Sequence, residues 1–340
     1  MTPRGSLPIS VVLPVRDGKR TLGAALESLR AQTFEDFEVV IVDDHSRDGT
    51  AGIARAWERR DGRFRVVRMG ADGSGIVAAL QRGLAEARGT CVARMDADDI
   101  CHPERLAFQH DLLARSPGLA GCGTGVRLVP ESTVTPRAAE YAAWVNSMTD
   151  RDTVAANIFV ECPLAHPTFM FRARVLADVG GYRDRAWLED YDLLLRLWRR
   201  GHRFVAVPRV LLDWRDDPGR LSRNHPAYSL AAFRACRVHH LRKSMLRGRS
   251  GVVVWGAGPT GKSLAREFAR QGVNVQAFVE VDPRKIGQQI HGAPVLGVEA
   301  VRGVVGALHV GAVARSAGRA AVRGAVGGVG LGEGDFVAMA

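Results

Sequence analysis

Arg94-Met95-Asp96-Ala97-Asp98-Asp99 closes an apolar run that starts at Thr90, and it sets three carboxylates within four positions at a strand end. Like charges this close repel one another unless a cation sits among them, and a divalent metal held by one or two carboxylates together with diphosphate oxygens satisfies the arrangement. The plainer alternative is a solvated acidic turn, which has no need to follow a buried strand. Arg94 reads either as a surface charge or as a ligand for a diphosphate.

Outward from this stretch, short β-branched runs alternate with amphipathic ones. Strands are predicted at Ile9 to Val15, Phe37 to Val42, Arg63 to Arg68 and Thr90 to Met95, and helices at Thr21 to Ala31, Gly49 to Arg59 and Ile76 to Ala87. This is the rhythm of a parallel α/β sheet, and it puts each chemically rich loop at the C-terminal end of a strand, where open sheets bind ligands. One such loop is Val42-Asp43-Asp44-His45-Ser46-Arg47-Asp48-Gly49-Thr50. A carboxylate there could accept hydrogen bonds from a base or ribose; equally, Asp48 and Thr50 suit a capped turn. From Val126 to Arg247 the pattern is less regular, with one clear helix at Asp190 to Arg200 ended by Gly201. Before it stands Trp187-Leu188-Glu189-Asp190-Tyr191-Asp192, whose acids either favour a helix N-terminus or supply a general base for a hydroxyl.

Composition narrows the partners. The 340 residues suit two domains of roughly 100–200 residues each. With 47 basic and 36 acidic residues the net charge is +11, which favours anionic partners. Only 6% of residues are aromatic and the arginines are scattered, so nucleic acid is not an expected partner. Cys91, Cys101, Cys122, Cys162 and Cys236 form no C-x-x-C pair, which argues against a disulfide framework or a zinc site and fits a reducing compartment. No apolar run approaches a membrane span of about 18 residues. The expectation is a cytoplasmic protein that can rest on a membrane surface.

The acidic groups, with Val11-Val12-Leu13-Pro14-Val15-Arg16-Asp17-Gly18, Pro103-Glu104-Arg105-Leu106, His166-Pro167-Thr168 and Gly180-Gly181-Tyr182, resemble the motifs of family-two glycosyltransferases, inverting enzymes with the GT-A fold. The match in order and spacing runs from about Leu7 to Tyr228. The resemblance implies a mixed, mainly parallel sheet flanked by helices, with a nucleotide-sugar-binding half over 7–125 and an acceptor half over 126–245. It implies that Pro14 and Val15 line the nucleotide site, Asp44 contacts the base, and Asp96 lies on the ribose side. Asp98 would bind Mn2+ or Mg2+ with the donor diphosphate, supported by Asp99, and Arg94 would be a donor contact. Asp190 would be the catalytic base and Glu189 would position the acceptor. His166 is either a further metal ligand, a donor contact or a structural residue. Trp187 either stacks on a sugar or packs beneath the helix, and Arg215, Arg220 and Arg223 either clamp the diphosphate or form a basic surface. Gln81-Arg82 departs from the family, where Asn is frequent. No Q-x-x-R-W run follows Asp190, which argues against a processive synthase.

After a basic stretch at Arg242 to Ser250, Val252 to Trp255 runs into Gly256-Ala257-Gly258-Pro259-Thr260-Gly261-Lys262-Ser263, and we expect a second domain over 246–340. The stretch fits both G-x-G-x-x-G and a phosphate loop. Only 77 residues follow Ser263, too few for a phosphate-loop core. Strands at Val275 to Val281, Ala307 to Val313 and Asp335 to Met339 favour a small Rossmann-like domain, with Gly256, Gly258, Gly261 and Asp282 as its nucleotide contacts. This segment resembles the domain in front of some sugar acyltransferases, and homodimerisation or regulation is its alternative use. The leading reading is metal-dependent, non-processive sugar transfer from a UDP-sugar to a glycan or lipid-linked acceptor. A nucleotide-sugar sensor and a nicotinamide-dependent oxidoreductase are the competing classes.

Overall fold

The computed structural model describes residues 7–71, 73–217, 219, 224–313 and 316–340. The chain packs as two units, one of Met1–Val154, Pro163–Arg185 and Glu189–Asn224, the other of Ala155–Cys162, Ala186–Leu188 and His225–Ala340.

The first unit is built on β1 (Leu7–Val15), β2 (Phe37–Asp43), β3 (Phe64–Arg68), β4 (Gly89–Arg94), β5 (Ile100–Cys101), β6 (Gly121–Val129), β7 (Met170–Arg172) and β8 (Phe204–Arg215), in the spatial order β3-β2-β1-β4-β7-β6-β8-β5. The first four are parallel neighbours. β1 and β2 are near-continuous apolar runs because helices cover both of their faces. On one face, Leu22, Leu26 and Leu29 of α1 (Leu22–Arg30) and Trp57 of α2 (Thr50–Arg60) join Ile9, Val11 and Leu13 in the main core. On the other, Ala79 of α3 (Ile76–Glu86) packs with Val40, Val42 and Val67. β7 then enters antiparallel beside β4, making the sheet mixed.

Chain order and spatial order diverge at β1. The path runs outward to β2 and β3, then returns to the opposite side of β1 as β4. A crevice opens at such a switch point, beyond the strands' C-terminal ends. Described helices also include α4 (Arg105–Arg115), α5 (Pro136–Asn146), α6 (Arg151–Asn157), α7 (Ala173–Val179) and α8 (Glu189–Arg199).

The long segment of the second unit, His225–Ala340, carries α9 (Leu230–Arg242), capped by the Ser229 hydroxyl, which accepts from Ala232 N at 3.2 Å. The boundary expected at 245/246 lies beyond this helix. Phe233, Val238 and Leu241 of α9 are buried, and its Ala235 carbonyl accepts from Gln271 at 2.9 Å. Then follow β9 (Gly251–Trp255), α10 (Pro259–Arg270), β10 (Val275–Val279), β11 (Gln289–Ile290), β12 (Ala293–Leu296), β13 (Ala307–Gly311), α11 (Ser316–Gly328) and β14 (Phe336–Ala338). The sheet order is β11-β12-β10-β9-β13-β14, all parallel except the β11 edge. Counting its parallel strands from β9, this is the 3-2-1-4-5 order of a Rossmann-like sheet.

Candidate active site

Three loops meet at the switch point of the first unit. The loop after β1 is laced to the loop after β2: Asp17 Oδ1 accepts from Arg47 N at 2.7 Å, and Asp48 Oδ2 from Lys19 N at 3.0 Å. Asp48 also accepts from Thr50 N at 3.0 Å, so it carries the turn that opens α2. Asp44 is therefore left for other work. It is buried, its Oδ2 accepts from Gly75 N at 2.8 Å, and its Oδ1 has no hydrogen-bond partner. Pro14 and Val15 are buried at the floor, where the Val15 carbonyl accepts from Asp44 N at 2.9 Å.

Beyond β4, the ligand oxygens of Asp96, Asp98 and Asp99 lie within 4.8 Å of one another. Asp99 is buried, and its Oδ1 accepts from the backbone N–H of Arg215 at 2.8 Å. Arg215 Nε donates to the Asp98 carbonyl at 3.0 Å, so this guanidinium braces the acidic turn. Arg220 and Arg223 lie outside the described residues. A set of carboxylate oxygens suits a hard divalent ion such as Mg2+ or Mn2+, and the trio fits one. His166 is not among these clustered ligand atoms.

Arg94 is 6% exposed, with Nη2 at 2.5 Å from Asp96 Oδ1, so it is not a surface charge. Burial opposes its charge, but Asp96, Tyr182 and Asp99 outweigh burial and raise its pKa. Behind it, fully buried Arg105 donates to the Arg94 carbonyl at 2.7 Å, which gives the arginine of Pro103-Glu104-Arg105-Leu106 a structural task.

The other wall comes from α8 and the turn before it. Glu189 is buried, 3.6 Å from His166 Nδ1, while His166 Nε2 shares a hydrogen bond of 2.8 Å with the Tyr182 hydroxyl. Burial first, and the Arg94 charge second, hold His166 well below its ordinary pKa. It is a neutral imidazole between a phenol and a carboxylate. Burial also pushes the Tyr182 phenol upward; Arg94 opposes this, while Glu189, Asp190 and Asp96 add to it. Tyr182 therefore lies within the fields of both acidic groups. Asp190 is only partly buried, with Oδ1 accepting from Tyr191 N at 2.6 Å.

Buried Asp192 and Arg196 pair at 2.6 Å, and the arginine donates to the carbonyls of Val179 at 2.8 Å and Gly181 at 2.7 Å. The glycine turn is thereby fastened to α8. Gln81, the departure noted above, accepts from Tyr182 N at 2.9 Å and holds the same turn. Trp187 belongs to the second unit, its ring 5.0 Å from that of His239.

These features converge with the comparisons to known proteins. The profile described as Glycosyl transferase family 2 matches residues 10–180, which is 171 of the 340 residues. The chain belongs to glycosyl transferase family 2. As a family 2 glycosyltransferase it transfers a sugar. Its relatives include the Bacillus subtilis (strain 168) protein EpsE, 29% identical over 67% of this chain and 82% of EpsE. The O-antigen biosynthesis glycosyltransferase WbnJ of Escherichia coli is 26% identical over 69% of this chain and 88% of its own. The fold is that of S. aureus TarS 1-349, solved with UDP-GlcNAc, at a TM-score of 0.54 and 16% identity, covering 70% of this chain and 67% of that one. The mannosyltransferase PcManGT from Pyrobaculum calidifontis, solved with GDP-Man and Mn2+, gives 0.51 and 19%, over 73% and 66%.

Residues 249–323 match the CoA binding domain. In this unit Gly256 has φ +108°, a left-handed conformation suited to glycine, and a Cβ on Gly261 would stand 1.9 Å from the Gly256 carbonyl oxygen. Around Gly258 a Cβ would meet nothing within 4 Å, leaving that face of the loop open. The acidic residue that reaches the loop is Glu280, whose Oε2 accepts from Ala257 N at 3.2 Å and from Lys285 at 2.9 Å. Asp282, the other acidic residue expected here, pairs with exposed Arg284 at 2.9 Å, three residues after β10 ends at Val279. The signal for Glu280 was its place directly after the strand. Tyr182 was marked by the Gly180-Gly181-Tyr182 motif without a role, and Arg196, an arginine in a helix rich in arginine, gave no signal.

Proposed function

We propose that the enzyme transfers a sugar from a nucleotide-diphosphate donor, a UDP-sugar in the first instance, to a hydroxyl of a glycan or lipid-linked acceptor, with inversion and with the help of a divalent ion. The observation that carries this reading is the carboxylate trio beside the β1/β4 switch point, with Asp190 within the field of the same Tyr182 as Asp96. Asp44, whose Oδ1 has no hydrogen-bond partner, receives the base or ribose. Asp98 and Asp96 would hold Mn2+ or Mg2+, whose chemical contribution is to neutralise charge on the departing diphosphate. Asp190 takes the proton from the acceptor hydroxyl as it attacks the anomeric carbon from the face opposite the diphosphate. A single displacement of this kind inverts the anomeric centre. Glu189, held by His166, positions the acceptor. In the second unit, Gly256, Gly258 and Gly261 with Glu280 form a site for a nucleotide-type ligand.

A panel of UDP- and GDP-sugars, assayed for hydrolysis without acceptor in the presence and absence of Mn2+, tests the first half of this reading. Release of nucleoside diphosphate from at least one donor, dependent on Mn2+ or Mg2+, is expected. Hydrolysis indifferent to chelation would remove the metal from the proposal, and a product that keeps the donor's anomeric configuration would remove single displacement.

A further inference from the structure

Arg94 is a buried charge with a single side-chain partner, Asp96. Its side chain borders a small cavity walled by Val12, Leu80, Leu84, Phe169, Phe171 and Leu176, and its Nε and Nη1 have no hydrogen-bond partner. Only Nη2 is engaged, at 2.5 Å from Asp96. Arg215 holds the other two members of the trio, Asp99 through its backbone N–H and the Asp98 carbonyl through Nε. Three carboxylates against two guanidiniums leave one net negative charge among these five groups. A free divalent ion meets weak attraction there, and it competes with Arg94 for Asp96. A nucleotide diphosphate supplies the negative charge that the site lacks.

We infer that Arg94 is a positioning residue that couples metal to nucleotide: by occupying Asp96 and fixing a positive charge beside the trio, it excludes a free divalent ion and admits the ion together with a diphosphate. The inference rests on the metal-dependent reading above. When ion and diphosphate enter together, Asp96 exchanges Arg94 for the ion.

Mn2+ binding to the full-length protein, followed by the electron paramagnetic resonance signal of free Mn2+, tests this without turnover. The titration is run alone, with saturating UDP and with saturating GDP, on wild type and on Arg94→Gln, Arg94→Met and Arg94→Lys. In the wild type a nucleotide should tighten Mn2+ binding within the range of about 5–150-fold usual for coupled sites. Arg94→Gln and Arg94→Met should bind Mn2+ alone about tenfold more tightly and lose most of that coupling, whereas Arg94→Lys should keep Mn2+ alone weak. A merely structural arginine predicts the opposite sign, weaker Mn2+ binding on its removal, and that result would overturn the inference while leaving the metal site intact. Wild-type protein that takes up no Mn2+ with either nucleotide sinks the metal reading and this inference together. If thermal unfolding shows the neutral variants to be unfolded, the wild-type titration decides, and absence of coupling there rejects the role of Arg94.

Discussion

In the proposed reaction Asp98 and Asp190, from distant parts of the chain, carry different halves of the chemistry. Asp98→Ala should leave UDP binding that no longer responds to Mn2+, read by calorimetric titration with and without the ion. Asp190→Asn should keep donor affinity while kcat falls by about 10²–10⁴, the range for a lost general base, read by single-turnover kinetics. His166 gives a pH signature. Buried and held below its ordinary value of 6.5, it is neutral in the folded protein, so the unfolded chain binds the extra proton as pH falls below that value. The stability it contributes is present above pH 6.5 and is lost as pH falls from there toward the folded pKa. Melting curves between about pH 8 and about pH 5 should show Tm falling on the acid side, with a shallower fall in His166→Gln. The acidic residues were legible in the sequence because carboxylates after an apolar run break the strand pattern. The Tyr182–His166–Glu189 chain was not, since its members meet only through the turn held by Gln81 and Arg196.

At the scale of elements, periodicity located β1 to β4 and α1 to α3 with ends off by one or two residues, the ordinary uncertainty of a frayed end. β6 was missed because Gly121, Gly123 and Gly125 alternate along it, and glycine in a strand reads as a turn. The ring of Phe171 would stand 2.1 Å from a Cβ at Gly121, so tertiary packing requires the residue that hides the strand. A similar close approach joins α3 to β1, where a Cβ on Gly83 would lie 2.3 Å from Val12 Cγ1. Val12 is a buried, branched side chain with a stiff χ1. Gly83→Ala should therefore lower stability by about 1–3 kcal/mol, as overpacking does, measured by chemical denaturation. Since α3 follows the loop whose Gly75 N–H binds Asp44, donor affinity should weaken with it.

For the whole molecule, the two units should respond to different ligands. On the proposed function, UDP with Mn2+ at about 100 times its Kd should stabilise the first unit by about 2.7 kcal/mol, visible as a rise in Tm. Mn2+ alone should raise Tm little. Among the described residues no helix is long and apolar enough to cross a membrane. The sequence by itself determined the α/β class, the glycine loop of a second domain and the identity of the acidic residues, because these depend on local period, on residue type and on short spacing. Tertiary structure decided which of these residues share a site. The return of the chain across β1 brings Asp44 and Asp96 to the ends of the two strands that flank it, and α8 supplies Glu189 and Asp190. It also decided that Arg94 is a buried partner of Asp96 and that Glu280 reaches the backbone of the glycine loop. Burial and long-range pairing settle such questions, and neither is a property of a short stretch of chain.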